Sequence, residues 1–299
     1  MASESWLNKF PEMDRADLVA IRKGLDESYR AFSRTYGDTI ESVFNPLLKF
    51  LVWFENLLLA SPWWLVIAVV VALVYSASRS WKLSLGVVGS FMLIGYFGMW
   101  ENTMRTMSII TVCTLLSIFM GIPIGIAMAR SDRARAVITP ILDIMQTMPA
   151  FVYLIPVVML LGIGKVPGVI AVVIYAIPPV IRLTNLGIRL VNKEVLEAAT
   201  AYGANSSQRL WGVQLPLAMP TIMAGINQTI MMALAMVVIA SMIGVKGLGQ
   251  PVLKSITNQY FTMGLFNGLA IVALAIIFDR VSQAYAKRTQ RHLGGAQNG

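Results

Sequence analysis

The chain has 299 residues, of which 57% are hydrophobic and only 13% charged, about half the charged share of a soluble domain, so a water-soluble globule of ordinary design is excluded. The formal net charge of +9 comes from basic residues scattered between apolar runs, which fits membrane orientation better than a nucleic-acid partner. A single cysteine, Cys113, lies within an apolar run, so neither an intrachain disulfide nor a cysteine metal site can form.

The start, "MASESWLNKFPEMDRADL", lacks an apolar stretch behind a basic beginning, and no cleaved signal peptide is expected. The stretch 40–56 is apolar and aromatic but holds Glu41, Lys49 and Glu55. An amphipathic helix on the outer membrane surface is expected there; an additional span would move the N-terminus inside. Seven spans follow from the apolar runs at 57–77, 81–100, 107–129, 136–161, 166–186, 217–243 and 263–283. Four glycines weaken the second, and the fourth and fifth carry Pro140, Pro149, Pro156 and Pro178-Pro179, which kink helices. The predicted architecture is an all-α polytopic membrane protein: a tail at 1–56, peripheral spans at 57–106, a core at 107–285 and a basic tail at 286–299.

Basic residues orient the bundle. Arg79, Lys82, the run "RSDRAR" at 130–135, Arg189, Lys193, Arg209 and the tail "KRTQRH" fall on one side, whereas Arg105, Lys165, Lys246 and Lys254 fall on the other. The C-terminus is therefore expected in the cytoplasm and the N-terminus outside.

The longest cytoplasmic connection, 187–216, reads as two short helices at a turn. Asn192 is placed to cap "KEVLEAATAY", Gly203 to end it, and Asn205 with Gln208 to form a capping box opening a second helix that stops near Leu215-Pro216. Val195, Ala198, Ala199 and Tyr202 share one face of the first helix. Such a knob either docks in a groove of another protein or packs on its own bundle. Deeper in the chain, Asp143, Gln146, Thr147 and Asn227 are polar at membrane depth. With Met148 and Tyr153 they either line a passage or serve ordinary interhelical packing.

Glu197-Ala198-Ala199, three residues, Gly203, nine residues, then Val213-Gln214-Leu215-Pro216 resembles the signature of ABC importer permeases, with Val213 where isoleucine is usual. The stretches "GIPIGIAMARS", "ILDIMQTMPAFVYLIPVVMLLGIGKVPGVIAVVIYAIPPVIRLTNLGIR" and "IASMIGVKGLGQPV" look like the glycine betaine, proline, choline or carnitine uptake branch. The resemblance spans roughly residues 100–285. It implies a type I importer bundle, a five-helix core with N-terminal additions, acting as a homodimer in the bacterial inner membrane. It further implies a separate ATPase docked on Glu197, Ala198, Ala199 and Gly203, with Leu215 and Pro216 closing the motif. A separate extracytoplasmic substrate-binding protein would deliver the solute, and ATP and Mg²⁺ would be used by the partner.

The residues agree with the last point, because no GxxxxGK[ST] occurs in the chain. Without HExxH, a GxSxG elbow or paired buried acids with a histidine, an enzyme is not expected. The rival is an ion-coupled secondary transporter, which would be expected to show inverted repeats that the sequence does not display.

Overall fold

The structure, a computed structural model, describes residues 12–294; the first eleven residues of the N-terminal tail and the last five of the basic tail lie outside that description. The described residues are helical almost throughout and contain no strand.

Helix α1 (Arg15–Ala60) runs unbroken for 46 residues, about 69 Å at 1.5 Å per residue. It ends because Pro62 forces Ser61 into an extended conformation (ψ 139°). Tyr29, Ser33, Gly37, Phe44, Leu51 and Glu55 fall on one less exposed seam. Along that seam Tyr29 donates to the Pro156 carbonyl, and Ser33 Oγ donates to the carbonyls of Met159 (3.2 Å) and Leu160 (3.3 Å).

Two short helices follow, α2 (Trp63–Ser78) and α3 (Trp81–Tyr96), each of 16 residues. At about 24 Å they fall short of a hydrocarbon core of roughly 30 Å when upright. This departs from the expectation of two full spans at 57–77 and 81–100. The Ser61–Pro62 break assigns the first few apolar residues to α1, and Arg79 in the left-handed region (φ 51°) ends α2. The segment Ser42–Ala60, expected on the membrane surface, is apolar over 19 residues, long enough to cross.

The core consists of α4 (Trp100–Arg130), α5 (Asp132–Thr147), α6 (Leu154–Leu161), α7 (Lys165–Ala176), α8 (Pro178–Arg189), α11 (Leu215–Ala240), the short α12 (Gly249–Asn258) and α13 (Phe261–Gly294). Helices α7 and α8 together make one apolar span, Lys165–Arg189, despite the central Pro178-Pro179. The expected span 136–161 is instead broken. Its two parts, Asp132–Thr147 and Ala150–Leu161, meet at 113°, because Pro149 holds Met148 extended and ends α5. Among the described residues, five helices are therefore long and apolar enough to cross a membrane, six if the bent pair is one span, rather than seven unbroken rods.

Ile109, Ile110 and Cys113 of α4, Ala171 and Val172 of α7, Ala233 and Met236 of α11 and Leu274 of α13 form the main buried cluster. Close approach of α4 to α8 depends on glycine: a Cβ on Gly125 would lie 2.8 Å from the Ile181 carbonyl oxygen, nearer than any real side chain tolerates.

Candidate coupling elbow and translocation path

Between α8 and α11 the chain leaves the bundle as α9 (Lys193–Ala201) and α10 (Ser206–Arg209). Every feature of the turn is locally determined. Asn192 Oδ1 accepts from the Glu194 amide at 2.9 Å and starts α9. At the other end Gly203 sits at φ +83°, its amide donating to Thr200 O (2.9 Å) while the Ala204 amide donates to Ala199 O (3.0 Å). That pair of reversed bonds is a Schellman motif, satisfying carbonyls that the helix end would leave open. Asn205 and Gln208 then complete the expected capping box, side chain to amide in both directions, at 2.8 and 2.9 Å.

The second helix does not stop at Leu215-Pro216 as expected. A wide π turn, Leu210–Gln214, carries α10 into α11, with the Leu215 amide donating to Leu210 O. Proline lacks an amide hydrogen and crowds the carbonyl four residues back; the wider turn absorbs that conflict and Pro216 sits in the first turn of α11.

None of the residues of α9 or α10 is buried. Glu197, Ala198 and Gly203 are exposed, Tyr202 is 93% exposed and Val195 42%, so the predicted apolar face is open rather than folded onto its own bundle. Leu215 differs: it is buried with Ile188, Leu210, Ala218 and Ile222 and anchors the root of the elbow. Arg209 links the two limbs, donating to Thr200 Oγ1 at 3.1 Å. At the base of α8, Arg189 donates to Asp132 (2.7 Å) and to the Met128 carbonyl (2.8 Å), tying α8 to α4 and α5.

The six residues considered for a passage do not form one lining. Asp143, Gln146 and Thr147 share an exposed face of α5. Tyr153 is buried at the break, its hydroxyl donating to Met145 O and its ring edge-on to Tyr175, and the half-buried Met148 packs on the main cluster. Asn227 belongs elsewhere. It donates to Asp279 Oδ1 at 2.9 Å and accepts from Ser282, while Gln283 donates to the same carboxylate oxygen at 2.8 Å, so its amide joins α11 to α13.

Three polar groups were not singled out for the site. Arg182 pairs with Asp143 across α8 and α5, Asp279 anchors the α11–α13 network, and the buried Glu55 pairs with Lys165 at 2.7 Å and faces Arg105 at 3.8 Å. A charged residue within an apolar run is itself a signal of a buried partner or an aqueous path, and Arg182 in "PPVIRLTNLGIR" carries it.

Residues 121–291, which include the elbow and most of the core, match the family described as binding-protein-dependent transport system inner membrane component. The chain belongs to that family. It is 49% identical over 239 residues to the glycine betaine/proline betaine transport system permease protein ProW of Escherichia coli, covering 78% of this chain and 66% of that protein. It is 46% identical to the glycine betaine/carnitine transport permease protein GbuB of Listeria monocytogenes, covering 78% of this chain and 83% of that one. The glycine betaine transport system permease protein OpuAB of Bacillus subtilis is 41% identical, with 91% of this chain and 96% of that protein aligned. Among solved structures, an inward-facing MetNI methionine ABC transporter superposes with a TM-score of 0.57 at 18% identity, over 62% of this chain and 93% of the other. This last similarity shows that the two chains share a fold.

Proposed function

We propose that this protein is the membrane-spanning subunit of an ATP-driven importer that carries a small zwitterionic osmolyte, of which glycine betaine is the first candidate. One observation carries the transport mechanism: α9 stands free of its own bundle, with Glu197 and Ala198 exposed, on a root fixed by Leu210 and Leu215. A separate ATPase subunit docks there, and its closing and opening bias an equilibrium between inward- and outward-open states through contacts that differ between the two. The substrate class rests on relatives whose names all specify glycine betaine, one of them with proline betaine and one with carnitine.

The unit is a homodimer, because one copy supplies one elbow and two ATPases need two. An extracytoplasmic receptor delivers the solute, and ATP and Mg²⁺ belong to the ATPase. Asp143, Gln146, Thr147 and Met148 line the path from one side, Tyr153 supports the break beside them, and Asn227 acts at a distance by holding α11 against α13. The elbow and the C-terminus lie in the cytoplasm, following the basic residues. The apolar length of Ser42–Ala60 favours a crossing and hence a cytoplasmic N-terminus, against the outer position expected from sequence. Alkaline phosphatase fused ahead of Arg15 tests this: activity would restore the outer assignment.

Uptake of radiolabelled glycine betaine by proteoliposomes containing this chain, its ATPase and its receptor tests the function. ATP-dependent accumulation is expected. Import that persists without the ATPase would instead make the chain an ion-coupled secondary transporter, and ATP-driven uptake of another amino-acid-like solute alone would reassign the substrate.

A further inference from the structure

Helix α5 presents three different faces. Ile138 and Leu142 turn into a buried cluster with Met128, Val180 and Ile181. Val137, Ile141 and Ile144 recur at helical spacing and are 66%, 51% and 59% exposed, an apolar surface suited to hydrocarbon. The third face carries Asp132, Arg135, Thr139, Asp143, Gln146 and Thr147 at steps of three and four, and it ends at the break before Pro149. Ionised and amide side chains exposed at membrane depth are costly against lipid and belong on a water-filled path.

Helix α8 answers that face with Arg182, Asn185 and Arg189 at positions i, i+3 and i+7. Two acid–base pairs join the helices, Asp132 with Arg189 at 2.7 Å and Asp143 with Arg182. They differ in how fully the arginine is used. Arg189 is held by three acceptors, Asn185 at Nε and both the Met128 carbonyl and Asp132 at Nη2. Arg182 meets one carboxylate oxygen through Nη2, and its Nε is buried without any acceptor. Asp143 remains 57% exposed. The deeper pair therefore offers a half-used guanidinium fork and an open carboxylate on the same wall.

We propose that Asp143 and Arg182 form a transient subsite for a zwitterion that carries a carboxylate and an ammonium group, a proposal that rests on the transport reading above. The substrate carboxylate takes the Nη donors at the exposed end of Arg182, the two-pronged geometry guanidinium favours, while the ammonium group rests beside Asp143. One ion pair plus one zwitterion becomes two ion pairs, so no net charge enters the site and neither protein charge is left uncompensated. A cation lacking the carboxylate would displace Arg182 from Asp143 and leave the arginine unpaired. The subsite thereby separates betaines from simple quaternary amines.

The experiment uses the reconstituted complex of chain, ATPase and receptor, with [14C]glycine betaine imported and ATP hydrolysed measured in the same vesicles. Arg182→Gln and Asp143→Asn are each expected to lower betaine imported per ATP at least about tenfold, the loss of a charge-assisted hydrogen bond. The double variant Asp143→Asn/Arg182→Gln separates binding from scaffolding. Removing both partners of a merely structural pair is close to neutral, so scaffolding predicts recovery, whereas a subsite stays lost. Recovery in the double variant, or an unchanged ratio in either single one, overturns the subsite. If a single variant fails to assemble, Arg182→Lys keeps the charge without the fork, and an unchanged ratio there also overturns it. A wild-type complex that carries no ammonium carboxylate would sink both this subsite and the substrate reading; one that carries betaine with indifferent variants sinks the subsite alone.

Discussion

Glu55 and Glu197 are the same residue type in opposite situations. Glu55 is 5% exposed, is paired with Lys165 and faces Arg105, which is also bound to Glu101; it joins α1 to the core across 110 positions of sequence. Glu197 stands exposed on α9, and among the described residues no cation meets its carboxylate. A charge whose partners lie within the chain holds the fold together; one presented at the edge of an open apolar face is available to another protein. Stability measurements and coupling measurements should therefore separate the two glutamates, and mutations between these extremes should grade from one effect to the other.

The largest loss of stability is expected at Glu55. Glu55→Ala leaves Lys165 without its anion in a largely buried setting and Arg105 with Glu101 alone, and breaking a buried pair from one side typically costs about 3–5 kcal/mol. Thermal unfolding of the purified protein in detergent should show it as a clear drop in the midpoint, with α1 becoming the first segment cut by protease. Replacing both partners, Glu55→Leu with Lys165→Met, should recover most of the loss. If the single variant melts like the wild type, the ionic attachment of α1 is not what holds it.

Gly203 comes next. A Cβ there would meet nothing within 4 Å, so the cost of Gly203→Val is not a clash but the backbone at φ +83°, about 1–2 kcal/mol for a residue with a side chain. That strain is local to the elbow. The bundle should therefore melt nearly as before while ATP hydrolysis and uptake come apart, and Gly203→Asn, which tolerates the left-handed region better, should be milder. Asn205→Ala follows at about 1 kcal/mol, because it removes one arm of the capping box. Amide exchange at Ser206–Gln208 is the direct readout, with faster exchange expected in the variant.

These differences also mark what could be read in advance. The elbow was legible because each of its determinants, Asn192, Gly203, Asn205 and Gln208, acts within a few residues of its own position. The exception is Pro216, where the rule that proline ends a helix gave way to a π turn that keeps α10 and α11 continuous. Non-local pairing was not legible. Glu55 counted against a span because its partner Lys165 is distant in sequence, and Arg182 carried no mark of its contact with Asp143 beyond being a charge among apolar residues. Similarly, Pro149 announced a kink in the fourth expected span, but the turn of 113° depends on how α6 packs against α1 and α7, which periodicity does not encode.

The smallest effect on stability is expected where the functional effect is complete. Glu197→Lys changes an exposed side chain on a helix with no buried residue, and surface substitutions of this kind typically stay within about 0.5 kcal/mol. The melting midpoint should be indistinguishable from wild type. The same change reverses the charge at the edge of the face formed by Val195, Ala198 and Tyr202, where a docking partner must desolvate it against its own complementary group. Removing one side of such a pair commonly costs binding about 2–5 kcal/mol, much of it from leaving the other charge unpaired. The ATPase should therefore fail to co-purify with the variant at concentrations that saturate the wild type, and ATP-dependent uptake should vanish from membranes that hold normal amounts of folded permease. A second variant, Glu197→Gln, should bind with intermediate affinity, since an amide still accepts a hydrogen bond but offers no charge. Normal co-purification and uptake with Glu197→Lys would mean that an ATPase docks elsewhere on the chain, and the contrast between the two glutamates would reduce to a difference in burial alone.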